Sequence, residues 1–242
     1  MAIYQYGGGG GGGPLLGQHS VDGDTVEHWA FDGDTLGAIG TTTTDFDNGR
    51  NIFAPFPGSS TSLCVACPNG DNLDKMSAST TAGLISTEMT MAAIVYQAKY
   101  PGVVGRIPLW RFERTIGGQN DVLWLLNPDA TNGQIRVGHI AAGATFVFDD
   151  LTLAIPEDQW CHITMTRNAA GTGGAVYING TKETWSVASP PDLTAIQGNT
   201  VLCLGNASDG SIDGSFHYSS LILKDIECSD AQVAAMAAEC GF

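Results

Sequence analysis

From Trp160 to Arg167 the chain alternates with period two. Cys161, Ile163, Met165 and Arg167 fall on one side, Trp160, His162, Thr164 and Thr166 on the other, and this predicts a β-strand. A Gly-rich turn over 168–174 and a short strand over 175–178 follow. Asn179-Gly180 then predicts a tight hairpin, because both central residues of a type I′ turn need positive φ. The same reading places strands over 26–31, 88–97, 108–114, 121–126, 134–139, 144–153, 183–187, 201–204 and 214–224, about eleven in all. Residues 34–60 are Gly, Thr, Asn, Asp and Pro with isolated Phe46, Phe53 and Phe56, which suits long loops and one or two edge strands. A single helix is expected over 230–239. Ser229 stands at its N-cap, Gln232 at the capping-box position, Asp230 in the first turn, and Gly241 beyond the end. The pattern as a whole predicts an all-β, two-sheet antiparallel sandwich with one short C-terminal helix.

Ahead of the first strand come seven consecutive glycines, Gly7 to Gly13, then Pro14-Leu15-Leu16. Glycine offers a core nothing and loses the most backbone freedom on ordering, so residues 1–20 are expected to be an extended arm and 21–242 the sandwich. Tyr4, Tyr6, Leu15 and Leu16 are the arm's apolar anchors. Fixing the glycines costs roughly 1–2 kcal/mol each, which a partner surface must offset, so residues 1–16 are expected to lie on another subunit of an oligomer or larger assembly. The first residues carry neither a basic segment nor an apolar one, so no secretory signal is expected there.

Composition narrows the partners. Ten Lys and Arg against 25 Asp and Glu give a net charge of −15, which opposes binding to nucleic acid and to anionic membranes. Six cysteines would suit a disulfide framework in a secreted chain, but 242 residues are far more than the stapled mini-domains that need one, and most of the six read as reduced core residues, Cys161 and Cys203 within strands among them. Cys64-Val65-Ala66-Cys67 has zinc-site or redox spacing, but no second such pair accompanies it. His28, His139, His162 and His217 lie in strand context without a nucleophile nearby in sequence, and structural roles are expected for them.

The strand from Trp160, the Gly-rich turn and Val176-Tyr177-Ile178-Asn179-Gly180-Thr181 together resemble the LamG-like jelly rolls of the concanavalin A-like lectin/glucanase superfamily. Val26 to Gly33, reading VEHWAFDG, is similar to the opening of such domains, and Ser219 to Ile226 followed by Ser229-Asp230 to their close. The resemblance implies a jelly-roll sandwich. Hydrolases of this superfamily carry E-x-D-x-x-E along one strand, and this chain has no such run; Asp149 and Asp150 are strand neighbours on opposite faces, and Glu157-Asp158 falls in a turn. The chain is therefore expected not to be an enzyme. The resemblance also implies calcium at a loop rim. Asn206, Asp209 and Asp213 supply suitable oxygens, though the same Asx/Gly composition equally makes a plain turn. Trp110, Trp124 and Trp185 stand either as sugar-stacking rings or as core. Two functions follow as expectations. One is a virion-associated surface protein of a virus or phage, anchored by its arm and open to host polysaccharide. The other is a free, extracellular, calcium-dependent glycan-binding lectin domain.

Overall fold

The computed structural model describes residues 18–30, 44–46, 52–55, 63–67, 76–80, 87–97, 109–114, 121–128, 132–141, 145–190, 200–204 and 216–242. Among these, fifteen strands and one helix form two antiparallel sheets. The strands are Thr25–Trp29 (β1), Thr44–Phe46 (β2), Ile52–Pro55 (β3), Leu63–Cys67 (β4), Met76–Thr80 (β5), Met89–Gln97 (β6), Trp110–Arg114 (β7) and Asp121–Pro128 (β8). They continue with Gln134–Ala141 (β9), Thr145–Ala154 (β10), Trp160–Arg167 (β11), Gly173–Ile178 (β12), Thr181–Ser186 (β13), Thr200–Leu204 (β14) and Phe216–Lys224 (β15), and the helix α1 is Asp230–Glu239. One sheet runs β13-β12-β11-β6-β15-β4-β3, with β1 also on β15; the other runs β10-β9-β8-β7-β14-β5-β2.

β11 lies inside its sheet and every residue of it is buried, because both of its faces are covered. Cys161, Ile163 and Met165 enter the main core between the sheets with Trp29, Met89, Met91, Trp110, Phe112, Leu202 and Tyr218. Trp160 points the other way, against Ile94 and Cys240 under the end of α1. The helix itself rests on the outer face of this sheet through Val233 and Met236, which meet Ala92, Tyr177 and Ile222. Its capping box is complete, Gln232 N–H donating to Ser229 Oγ and Ser229 N–H to Gln232 Oε1. Ser229→Ala is expected to lower stability by about 1 kcal/mol, read from the midpoint of urea unfolding.

The turn at Asn179-Gly180 has φ of 48° and 81°, as a type I′ hairpin requires. β15 carries a bulge at Ser219, and parity switches there. Phe216 and Tyr218 face the core before it, Leu221 and Leu223 after it, so Ser220 turns to the outer face. At the seam between the sheets, edge N–H groups are taken by carboxylates. Asp149 accepts from Ser186 N–H, and Glu183 accepts from the N–H groups of Thr152 and Leu153. These contacts join β10 to β13 and blunt two edges that would otherwise invite pairing with another chain.

The strands over 63–67 and 76–80 are additions to the expected set, and the stretch 34–60 contributes β2 and β3. Within the segment 1–20 assigned to an arm, Gln18 to Ser20 lie on the sandwich. Gln18 Nε2 donates to Ala30 O at 3.0 Å, and His19 is buried.

Candidate functional site

On β10 the alternation Phe146, Phe148, Asp150 faces outward while Leu151 at the end of the run is buried. Phe146 and Phe148 are 38% and 48% exposed, and with Val21 they are the large apolar residues that stand exposed among the described residues. Their ring centroids lie 5.7 Å apart with planes inclined by 36°, so the two rings form a continuous strip.

The strip is held from β9. Arg136 pairs with Asp150 through two parallel bonds, Nε to Oδ1 at 2.8 Å and Nη2 to Oδ2 at 2.7 Å, and its guanidinium carbon sits 3.9 Å from the Phe148 ring centroid. A forked ion pair of this kind fixes geometry as well as charge. Gly138 lies opposite Phe148 in the ladder. A Cβ there would come within 2.6 Å of Val147 O and 3.0 Å of Phe148 Cβ, so glycine is what lets β10 close on β9 beneath the rings. The result is an apolar strip of two half-exposed rings beside a rigid, planar, charged rim. A sugar ring presents the complement: apolar C–H faces edged by hydroxyls.

A second concavity of about 490 Å³ runs beside α1, lined by Thr166, Asn168, Tyr177, Lys182, Glu227 and Asp230 among others. Its polar groups serve one another. Tyr177 Oη and Lys182 Nζ both donate to Asp230 Oδ1 at 2.7 Å. Burial and the bond to Asp230 push the Tyr177 hydroxyl up to about 12.

A third cluster lies under the other end of α1, where His19, His162 and Cys240 bring ligand-type atoms within 4.8 Å of one another. His19 Nε2 is 3.0 Å from His162 Nε2, and His19 Nδ1 is 2.8 Å from Ser220 Oγ, which also meets His28 Nε2 at 3.1 Å. Burial holds His162 down to about 4 and lowers His19 well below the usual imidazole range, the neighbouring His162 and His28 adding to it.

Of the residues singled out from sequence, Asn206, Asp209 and Asp213 and the anchors Tyr4, Tyr6, Leu15 and Leu16 lie outside the described residues. Trp110 and Trp185 are not surface platforms, since both are buried in the main core, Trp185 donating its indole N–H to Thr166 O at 3.0 Å. Trp124 lies on β8. Asp149 and Asp150 engage different partners, as strand neighbours should. Cys161, Cys228 and Cys240 are free thiols, and Cys64 and Cys67 lie on β4. His28, His139 and His162 are buried. Sequence reasoning passed over Phe146, Phe148 and His19. The first two carried a signal, two aromatics and an acid on one side of an alternating strand.

The family model for the concanavalin A-like lectin/glucanases superfamily matches residues 70–219. The chain belongs to that superfamily. No curated protein matches it. Among solved structures it is similar to the binding domain of Paraclostridial mosquitocidal protein 1, at 12% identity and a TM-score of 0.62, covering 88% of this chain and 52% of that one. Domain 4 of AbnA, an extracellular arabinanase from Geobacillus stearothermophilus in complex with arabinotriose, matches over 88% of this chain and 98% of its own, at 16% identity and a TM-score of 0.61. A Trypanosoma rangeli sialidase matches over 90% of this chain and 33% of its own, at 15% identity and a TM-score of 0.63. The chain thus spans about half the length of the toxin binding domain and a third of the sialidase, and these likenesses concern the fold.

Proposed function

We propose that the protein is a non-catalytic carbohydrate-binding module that grips a neutral polysaccharide on the Phe146 and Phe148 strip. The observation that carries this reading is the paired, half-exposed rings beside the Arg136–Asp150 fork. Two adjacent exposed phenylalanines lose favourable burial in the free protein, and a C–H face laid on them recovers it, while the fork fixes where sugar hydroxyls can dock. Neutral glycans are favoured because a net charge of −15 repels sulfated or uronic chains. The same fold carries arabinotriose in the arabinanase domain, which supports a sugar ligand here. An extracellular setting, where polysaccharides are met, fits the reading.

Calcium held by Asn206, Asp209 and Asp213, and seating of Tyr4, Tyr6, Leu15 and Leu16 on other subunits, are separate proposals resting on residues outside the described set. The virion setting depends on that arm alone. Glycan recognition by β9 and β10 stands without either.

Affinity electrophoresis through gels containing arabinan, xylan or β-glucan tests the reading. Wild-type protein should be retarded by at least one neutral polysaccharide. Phe148→Ala should weaken that binding about tenfold, equivalent to ~1.4 kcal/mol, with the melting temperature unchanged within a few degrees, because the ring is half-exposed. Retardation that persists in the Phe146→Ala, Phe148→Ala double variant would move the ligand elsewhere.

A further inference from the structure

The His19, His162 and Cys240 cluster has a chemistry that the sugar-binding reading does not use. We propose that these three side chains form a binding site for a borderline-soft divalent cation of the Zn²⁺ type, which staples the N-terminal segment and the end of α1 to the outer face of β11. The donors come from three separate parts of the chain, one before β1, one within β11, and one at the C-cap of α1. Two imidazole nitrogens and a thiolate suit zinc, whereas calcium and magnesium require oxygens.

Distances favour the assignment. With Zn–N bonds of about 2.0–2.1 Å, two imidazoles on a tetrahedral ion stand roughly 3.3–3.4 Å apart. The two Nε2 atoms stand at 3.0 Å, a few tenths of an ångström from that spacing. All three donors lie within 4.8 Å of one another, and Cys240 Sγ has to stand about 3.5–3.6 Å from each nitrogen, an approach within the reach of a rotation about its own side-chain bond.

The supports are also in place. In the ladders His162 and Ser220 both register with Ile94, one from each neighbouring strand, and His19 spans between them. Ser220 reaches this face only because of the bulge at Ser219. By accepting from His19 Nδ1 it leaves Nε2 as the ligand atom, the outer-shell arrangement that fixes a metal-binding tautomer. His162 is fixed through its backbone, its N–H donating to Asn179 Oδ1 at 2.8 Å and its carbonyl accepting from Asn179 N–H at 3.0 Å. Cys240 closes α1, whose last turn carries no basic residue, so the negative end of the helix dipole faces the site and favours a cation there.

Binding balances in protons alone. The proton shared by the two Nε2 atoms is carried instead on His162 Nδ1, which faces Thr164 Oγ1 at 3.5 Å, and the Cys240 thiol proton leaves to solvent.

The test uses the full chain, stripped of metal and kept reduced. Zn²⁺ added back should bind as one tight equivalent in competition with a chromophoric chelator and raise the melting temperature by several degrees. Co²⁺ in its place should give a thiolate-to-cobalt charge-transfer band. Cys240→Ala and His19→Gln should each abolish the tight equivalent, and Cys240→Ala the band, while Cys228→Ala and the Cys64→Ala, Cys67→Ala double variant keep both. His19 lies in no strand, so its variant decides the matter even where Cys240→Ala fails to fold. Absence of a tight equivalent in the wild type, its survival in His19→Gln, or its loss with Cys64 and Cys67 instead would overturn the assignment.

Discussion

Replacing Gly174 by alanine should cost about 3–5 kcal/mol, a large share of the roughly 5–15 kcal/mol by which a folded domain is ordinarily stable. Gly174 sits on β12 opposite Trp185 of β13. The Trp185 indole crosses over it to reach β11, where its N–H meets Thr166 O at 3.0 Å. A Cβ on residue 174 would stand 2.1 Å from that same oxygen, 2.7 Å from its carbon and 3.0 Å from the indole nitrogen. Neither neighbour yields cheaply. The carbonyl belongs to the backbone of a fully buried strand, and the indole is packed in the main core. The methyl group must therefore spread β12 from β11 or expel Trp185, and either course leaves a buried donor and acceptor unpaired. Gly23, with nothing within 4 Å of its would-be Cβ, is the matched control, and Gly23→Ala should change stability by less than ~0.5 kcal/mol. Equilibrium urea unfolding followed by tryptophan fluorescence measures both. A loss below about 1 kcal/mol for Gly174→Ala would show that the strands have slack the packing does not suggest.

Gly174 also illustrates what a sequence can carry. A turn after Asn168 is legible from its composition, although β12 begins at Gly173, so that Gly173 and Gly174, expected in the turn, are paired strand residues. β11, the Asn179-Gly180 hairpin and α1 follow from alternation, turn chemistry and capping, each a local property. That glycine is obligatory at 174 is not local. It follows from an indole eleven residues later, which no period reveals. The strands β4 and β5 escaped for different reasons: Leu63–Cys67 is short and apolar throughout, with no alternation, while Met76–Thr80 alternates but in small, weakly strand-forming residues, so their pairing with β15 and β14 decides them. The bulge at Ser219 did leave a trace, since Phe216 and Tyr218 have even parity and Leu221 and Leu223 odd.

The candidate sites divide in the same way. Alternation shows that Phe146, Phe148 and Asp150 share a side of β10. It does not say which side meets water, and aromatic rings are ordinarily assigned inward. The Arg136–Asp150 fork required the register of β9 on β10. His19 was hidden differently. It follows a glycine tract whose composition reads as linker, and its partners are 143 and 201 residues away. Composition describes what a segment can do alone, and burial of His19 is contributed by the surface it meets.

His139 should make the protein acid-sensitive in a way that a single substitution can isolate. It lies on β9, buried, and donates Nε2–H to Ser189 O at 2.8 Å. Burial holds its pKa down to about 4, the positive Arg167 adds to this, and the bond to Ser189 only partly opposes it. In the unfolded chain the same imidazole titrates near 6.5. The unfolded state therefore binds the extra proton first as pH falls. The stabilisation from a neutral His139 is complete above about pH 6.5, declines as pH drops toward 4, and changes little below that. Between pH 7.5 and 4.5 the loss is on the order of 2–3 kcal/mol. His139→Gln keeps an N–H donor within reach of Ser189 O but has no proton to gain. Wild type and variant should thus differ in the slope of stability against pH, the variant losing about 2–3 kcal/mol less over that interval, while contributions from the other histidines cancel in the difference. Urea unfolding at pH 7.5, 6.0 and 4.5 measures this directly. Parallel pH profiles for the two proteins would mean that His139 is hydrated in the folded state and that this end of the sandwich is more open than its packing shows.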